Sequence, residues 1–203
     1  PLSFNESFVT TAGEIAEFEF HEDRMYFGTW PTSTATVARV ASTDLITDID
    51  DFGSEDSGEI IWEASDYEPD VAIVNTYGVG AMKFFKGKLY FGTMHVPMTS
   101  LMAVVEKYES EGVDLPSDEI PLAFLGSLRS TALFEYDPDS PIGWDDSSFQ
   151  NNPNLVFGDP ALPTFDYSAP GVSVEYTSTQ VFLPELALSG FNNPFNNYMW
   201  AMS

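Results

Sequence analysis

Cysteine is absent from this chain of 203 residues, and histidine occurs only twice, as His21 and His95. Without cysteine there is no disulfide, no thiolate nucleophile, no Cys-ligated zinc and no thioether-attached haem. Two histidines also exclude a metal site built from three imidazoles. The absence of cysteine does not identify the cellular compartment, because a cysteine-free chain suits the cytosol and the outside of the cell equally.

Positive charge is scarce as well. The chain has 7 Lys and Arg against 32 Asp and Glu, which gives a formal net charge of −25 at pH 7. Such a surface repels phosphates and anionic headgroups, so nucleic acid and acidic membranes are poor partners. Residues 130–203 contain no Lys or Arg but nine carboxylates. This pattern is typical of proteins that sit in high salt, bind divalent cations or face a basic partner, and also of an acidic face kept for solubility.

Long apolar runs are also missing. The longest, 120–134, contains Gly126 and Ser127 and is interrupted by Arg129, so no membrane span is predicted. Even so, 43% of the residues are hydrophobic and 15% are aromatic, which is enough for a packed core. We therefore expect a chain that folds without inserting into a membrane.

A short segment is repeated. Residues 18–29 and 82–93, which begin 64 positions apart, both place alternating apolar residues before a polar turn and a strand ending in Tyr-Phe-Gly-Thr after it. The turns fall at Glu22-Asp23 and at Lys86-Gly87. Alternation, a two-residue polar turn and an aromatic second strand together predict a β-hairpin in each copy.

Each hairpin is followed by two more strand candidates. The third strands are predicted over 35–40 and 132–136, and the fourth over 59–63 and 154–157. Four antiparallel strands, repeated, are typical of the blades of a β-propeller. The sequence therefore predicts an all-β fold of antiparallel four-stranded blades.

The repeat also suggests boundaries. The first unit covers 1–75 and includes an acidic loop, and the second covers 76–190 with an insertion at 98–130. Residues 191–203 read as the opening strand of a third unit, which we expect to continue beyond residue 203. The front of the insertion, 99–108, has the apolar spacing and the Thr/Ser cap of a short helix.

The units resemble the blades of a kelch-like β-propeller of the kind that bacteria and archaea secrete. In that family a blade reads roughly Tyr-x-Trp-x-Met, a Gly-Lys turn, Leu-Tyr-x-Gly-Thr and Leu-x-x-Tyr-Asp. The matching residues here are Tyr198, Trp200 and Met202; Met82, Gly87, Lys88, Leu89, Tyr90, Gly92 and Thr93; and Leu133, Tyr136 and Asp137. The Gly-Gly doublet of kelch repeats is absent and the unit lengths are irregular. The resemblance implies a fold and carries no particular activity.

About two and a half blades are present, whereas propellers close with typically four to eight. An open set leaves sheet edges and aromatic faces in water. We therefore expect the chain to belong to a longer polypeptide or to complete its ring with another chain. The alternative is a self-contained β-sandwich in which two similar hairpins arose by chance.

Calcium is the predicted ligand, at either of two acidic loops. Asp48, Asp50, Gly53 and Glu59 stand at the first, third, sixth and twelfth positions of an EF-hand-like loop, although Phe52 occupies a ligand position. The second loop offers four carboxylates within ten residues: Asp137, Asp139, Asp145 and Asp146. In both loops the alternative is an acidic turn whose Asp side chains cap backbone amides.

No enzyme signature is complete. There is no Gly-x-Ser-x-Gly elbow, and His21-Glu22-Asp23-Arg24-Met25 lacks the second His of a zinc protease. We expect a non-enzymatic extracellular or cell-surface module that mediates protein contacts and is stabilised by calcium. The alternatives are a propeller-type glycoside hydrolase or lyase that uses loop carboxylates, and a structural subunit of a filament or coat. An aromatic stripe near the end of the chain is predicted to be blade core rather than a sugar-stacking surface: Phe191, Phe195, Tyr198 and Trp200.

Overall fold

The computed structural model describes residues 14–32, 37–44, 58–139, 153–179, 184–199 and 202. Within these residues the chain is mostly β, with ten strands in antiparallel sheets and two α-helices. The first sheet contains β1 (Glu14–His21), β2 (Arg24–Trp30), β3 (Arg39–Asp44) and β4 (Gly58–Glu63). The second contains β5 (Tyr77–Phe85), β6 (Lys88–His95), β7 (Leu133–Tyr136) and β8 (Asn154–Phe157). A smaller sheet pairs β9 (Ala161–Phe165) with β10 (Val174–Ser178).

Both predicted hairpins are confirmed, with turns at Glu22-Asp23 and Lys86-Gly87. In the second turn Lys86 (φ 52°) and Gly87 (φ 82°) both have positive φ, as the tight turns that match the twist of a hairpin require. The pairing of β1 with β2 is irregular between Ile15 and Glu17, and that of β5 with β6 between Val79 and Ala81. The irregularities stand at corresponding positions of the repeat, so the two hairpins share their register as well as their sequence.

Each large sheet is a meander in which neighbouring strands follow one another along the chain. The fourth strands lie at 58–63 and 154–157, close to the predicted bounds. The third strand of the first unit was predicted over 35–40 but begins at Arg39, whose N–H donates to the Thr29 hydroxyl at 2.9 Å. Within the described residues the two sheets do not close into a barrel or a ring.

The two large sheets pack face to face. We call the side of each sheet that carries Phe18 or Met82 its front, and the opposite side its back. Antiparallel pairing aligns one apolar row across the front of the second sheet, and all four members are buried: Met82, Phe91, Phe134 and Leu155. Trp62, on the back of the first sheet, packs on this row, with ring centroids 5.5 Å from Phe91 and 5.3 Å from Phe134. The main core is therefore the layer between the back of one sheet and the front of the next.

The insertion in the second unit is helical, as predicted. Helix α1 (Pro97–Ser110) buries Ser100, Val104 and Tyr108, which follow one another at the four-residue spacing of a single helix face. Helix α2 (Ile120–Ser127) was not predicted, because its sequence is apolar on all sides and shows no helical periodicity. No helix among the described residues is long and apolar enough to cross a membrane.

The predicted opening strand of a third unit is not a regular strand over 193–199, and residues 200, 201 and 203 lie outside the described part. This segment nevertheless runs beside β6, where the N–H of His95 donates to the carbonyl of Asn197 at 3.0 Å. A second backbone bond, from Thr131 N–H to the Asn196 carbonyl at 2.8 Å, holds it close to β7.

Candidate functional site

The contact between the sheets depends on a glycine. A Cβ added at Gly28, on the back of the first sheet, would overlap the side chain of Val79 and lie 3.0 Å from the Met82 sulfur. Only a residue without a side chain lets β5 approach β2 this closely. Nearer the hairpin turn, Tyr26 and His21 contact Phe84, His21 by stacking with ring centroids 4.1 Å apart.

The same contact occurs a second time. Gly92, 64 positions after Gly28, lies on the back of the second sheet, where a Cβ would overlap the Met199 sulfur and approach its Cβ to 3.0 Å. Met199 stands three residues before Met202, as Val79 stands three residues before Met82. Val79 and Met199, which cover the two glycines, therefore occupy equivalent positions in the repeat. This holds although residues 193–199 form no regular strand.

The two edge strands of the first sheet expose apolar residues on its front, whereas the middle of that face is buried, with Phe27 at 4% and Ala41 at 6%. Phe18 and Phe20 correspond to Met82 and Phe84, but Phe18 is 52% exposed and Phe20 53%, whereas Met82 is 3% exposed. Ile15, which corresponds to Val79, and Ile60, at the far end of the Phe18 row, are also exposed. We call these four residues the front patch: Ile15, Phe18, Phe20 and Ile60.

Residues 184–199 lie against the edge and the back of the second sheet. Ala187 bridges to Phe157 of β8, and the Phe191 ring lies 4.7 Å from the Phe157 ring. Several apolar side chains of this segment are exposed, Phe195 the most at 74%. We call its four exposed apolar residues the tail patch: Leu186, Leu188, Phe191 and Phe195. The prediction that Phe191 and Phe195 are blade core is therefore wrong for these two, since each turns much of its surface to solvent.

A buried ion pair joins the helical insertion to the second sheet. Arg129 and Glu68 are both fully buried, with Nε 2.6 Å from Oε2 and an Arg129 Nη 3.0 Å from Oε1. The remaining donors of the guanidinium bind the carbonyls of Gly126, Leu128 and Pro163. Burial acts to lower the pKa of Arg129, but the Glu68 carboxylate outweighs it and raises the pKa above its usual value. All five guanidinium donors are thus used inside the protein, which makes the pair a structural clamp.

The neighbouring carboxylates are satisfied too. Glu68 also accepts from the Tyr77 hydroxyl and from the N–H of Asp70. Asp70 in turn accepts from the Tyr167 hydroxyl at 2.7 Å and the N–H of Phe165 at 3.0 Å. Burial raises the pKa of Tyr77 well above its usual value. Two carboxylates that hold this many donors act as internal acceptors and present no free acid to a substrate.

A serine and a histidine meet in the core without forming a catalytic site. Ser100 Oγ hydrogen-bonds His95 Nε2 and lies 2.6 Å from Thr76 Oγ1. Burial, reinforced by the Arg129 charge, lowers the pKa of His95 to about 3. Nδ1 of His95 is buried and has no hydrogen-bond partner among the described residues, so the carboxylate of a Ser-His-Asp triad is missing there. Both side chains are also closed to solvent.

An open cleft of about 400 Å³ lies beside the clamp, between α2, β9 and the end of the chain. Its walls are mostly apolar and include Leu125, Pro163, Tyr176 and Phe195. Arg129 reaches the cleft, but its donors are already engaged, so it offers no free anion-binding group.

The predicted calcium ligands are only partly described. The Asp137 carboxylate accepts the N–H of Asp139 at 3.1 Å, which is the capping turn considered as the alternative. Glu59 pairs with Arg24 at 3.3 Å. The other four predicted ligands lie outside the described residues: Asp48, Asp50, Asp145 and Asp146. Among the residues that the structure does describe, no three metal-ligating side chains come together.

From the sequence, Gly28 and Gly92 were predicted only as residues near the ends of strands, and their role as contact points was missed. The signal was present, because Gly28 and Gly92 stand at the same place in the repeat. The clamp was missed as well, and a lone arginine inside an apolar run was the only hint of it. No protein-family model, curated protein or solved structure matches the chain.

Proposed function

We propose that this chain is a non-catalytic protein-interaction module of the β-propeller type, which presents the front patch and the tail patch to other proteins. One observation carries the proposal: the glycine contact of the first sheet with the second is repeated between the second sheet and Met199. A contact repeated in the same direction is how blades stack around a propeller axis. Clusters of exposed apolar residues such as the front patch and the tail patch are surfaces that proteins use for recognition.

The distribution of polar groups supports a module without catalysis. The described carboxylates that lie deepest, Glu68 and Asp70, are consumed by internal hydrogen bonds. The pair of Ser100 and His95 is closed to solvent. The hydrolase alternative needs an acid and a base that face a cleft. No observation on these described side chains favours the hydrolase alternative.

The net charge of −25 supports an extracellular or cell-surface setting, where salt and divalent cations screen acidic surfaces. Calcium stays part of the proposal as the cation that the acidic loops at 48–59 and 137–146 would take. Its role is stabilisation of the loops that surround the sheets, and no step of recognition depends on it.

Photo-crosslinking tests the interaction role. p-Benzoylphenylalanine is placed at Phe20 or Leu188 in the patches, and at Met102, an exposed residue of α1, as a control outside both patches. The chain is then irradiated in an extract of its source cells. We expect defined protein adducts, to this chain or to another, from positions 20 and 188 and not from position 102. Adducts with no protein preference between the three positions, or turnover of a glycan substrate by the homogeneous chain, would contradict the proposal.

A further inference from the structure

The cleft of about 400 Å³ beside α2 has the volume and the walls of a small-molecule site. Ligand-binding clefts measure about 300–1,000 Å³ and are mostly apolar, with a few polar groups that fix the ligand. Here Leu125, Pro160 and Pro163 supply apolar walls. Tyr176 and Phe195 add two aromatic rings, and these residues are 76% and 74% exposed. The cleft therefore offers aromatic surface that the fold itself does not use.

One carboxylate in this cleft is held in place and has no partner. Asp159 lines the cleft and is half-buried. Its N–H donates to the Tyr67 hydroxyl at 2.9 Å, and its carbonyl accepts from the Thr179 hydroxyl at 3.2 Å, so both of its backbone polar groups are fixed. Its carboxylate makes no hydrogen bond and no ion pair with the residues that the structure describes. A positioned carboxylate of this kind accepts strong hydrogen bonds from a charged donor.

The other charged residue among the described cleft walls does not compete for a ligand. Arg129 reaches the cleft, but its donors are engaged by Glu68 and by three backbone carbonyls. Arg129 and Glu68 together are neutral, so Asp159 gives this part of the cleft a net negative charge. Residues 130–203 contain no Lys or Arg that would neutralise it.

These groups discriminate between classes of ligand. An anion would meet the charge of Asp159 and find no free donor on Arg129. A wholly apolar ligand would take water away from the carboxylate without replacing it, which costs free energy. A cation on an apolar body satisfies both parts of the site, because its charge pairs with the carboxylate and is attracted by the faces of aromatic rings.

We propose that the cleft binds a small organic cation, an ammonium group on an apolar body, which pairs with Asp159 and contacts Tyr176 and Phe195. A cleft of this volume suits a small molecule, whereas a standard protein interface buries about 800 Å² on each partner. The inference goes beyond the proposed function and does not rest on it, since it needs no partner protein.

NMR titration of the ¹⁵N-labelled full chain tests the proposal, at neutral pH and one fixed salt concentration. The probes are 2-phenylethylammonium, 2-phenylethanol and 3-phenylpropanoate, which share a phenylethyl group and differ in charge. We expect the ammonium probe to shift the amide signals of Asp159, Ala161 and Tyr176. Its Kd should be lower than that of the alcohol by about fivefold, because only the ammonium gains the ion pair and the attraction to the rings. The propanoate should bind most weakly.

Two substitutions of equal charge assign the effect to Asp159. Asp159→Asn keeps the shape of the side chain and removes no internal contact, and it should weaken the ammonium probe about fivefold while leaving the alcohol unchanged. Glu175→Gln is the matched control, because Glu175 precedes Tyr176 on β10 and its side chain lies on the opposite face of the strand. It should leave the binding of both probes unchanged.

Two further substitutions test the rings. Tyr176→Leu and Phe195→Leu keep an apolar side chain but remove the aromatic face, so each should weaken the ammonium probe by about threefold and the alcohol by less. Losses that are equal for the two probes would contradict the contact between the cation and the rings. The dispersion of the amide spectrum shows that each variant is folded.

The inference is overturned if the wild type binds the ammonium and the alcohol equally, because the cleft would then be an apolar surface only. It is also overturned if the propanoate binds most tightly, or if the amide signals of the cleft do not move up to the solubility limit of the ammonium probe. These results need only the wild type, so they decide the matter even where a variant does not fold. Equal losses in Asp159→Asn and Glu175→Gln would assign the attraction to the net charge of the chain. None of these results bears on the interaction module, which the crosslinking at positions 20 and 188 tests separately.

Discussion

Arg129 donates to Glu68 through a fully buried pair of hydrogen bonds, with Nε 2.6 Å from Oε2. The two residues are 61 positions apart, and the bond joins the end of α2 to the loop that precedes β5. Through the carbonyl of Pro163 the same guanidinium also holds β9. One side chain thus fixes the insertion and the small sheet against the second large sheet.

Arg129→Met should destabilise the protein strongly. The substitution preserves most of the volume but leaves the Glu68 charge buried without its partner, which costs about 3–5 kcal/mol of the free energy of unfolding. Urea denaturation followed by circular dichroism measures the loss. Glu111→Gln is the control, because its pair with Lys107 is exposed and is worth about 0.5 kcal/mol or less. Equal effects of the two substitutions would contradict the clamp.

The free energy of unfolding should decrease as the pH is lowered, because of His95. Its pKa is lowered from 6.5 to about 3 in the folded chain, so the unfolded state binds the proton more readily. Stability from this group is therefore fully present above pH 6.5 and is lost as the pH falls from 6.5 towards 3, by at most about 1.4 kcal/mol per pH unit. Urea denaturation between pH 7 and about 5, before most carboxylates titrate, measures the slope. The slope should vanish in His95→Gln and persist in His21→Gln, and a slope that survives in His95→Gln would assign it elsewhere.

Gly28→Val and Gly92→Val should destabilise the protein by similar amounts, about 2–3 kcal/mol each, because the added side chain overpacks the same contact in both places. Gly112→Asn is the matched control: Gly112 has φ 80° and no neighbour within 4 Å of an added Cβ, and Asn tolerates this backbone at a cost of about 1 kcal/mol. Thermal and urea unfolding give the comparison. The equivalence of the two contacts fails if Gly92→Val costs no more than the control.

Calcium should raise the melting temperature of the purified chain, since a ligand that binds only the folded state stabilises it by mass action. Asp137→Asn/Asp139→Asn keeps the capping geometry and removes two charges, so it should reduce the shift. Asp48→Asn/Asp50→Asn makes the same test of the first loop. Differential scanning calorimetry measures the melting temperature with calcium, with magnesium and with EDTA. An unchanged melting temperature under all three conditions would remove calcium from the proposal.

Much of the β architecture could be read from local pattern. Alternation, polar turns and Tyr-Phe-Gly-Thr strands predicted both hairpins, because a strand exposes its two faces at a period of two residues and a turn needs particular residue types. The helix over 97–110 was readable for a similar reason. Helix α2 and the hairpin of β9 and β10 were not, since an evenly apolar segment and short strands carry no periodicity that separates them from a loop.

The candidate surfaces were only half predictable. The sequence showed that aromatic residues are plentiful, but Phe18 and Met82 occupy the same place in the repeat and differ in exposure, 52% against 3%. That difference arises from what packs on each sheet, which local sequence does not encode. Phe195 was predicted to be buried in a blade core, but its side chain is exposed, because its burial also depends on which distant segments pack against it.

By itself the sequence determined the repeat, the hairpin registers and the large acidic excess, because these depend on residue type and spacing along the chain. Only the tertiary structure decided that Arg129 meets Glu68, that Gly28 and Gly92 are close-contact points, and that the residues of the front patch and the tail patch are exposed. Those facts depend on which distant segments approach one another. The free energy that selects among such approaches is a sum over many weak contacts, and no short window of sequence contains it.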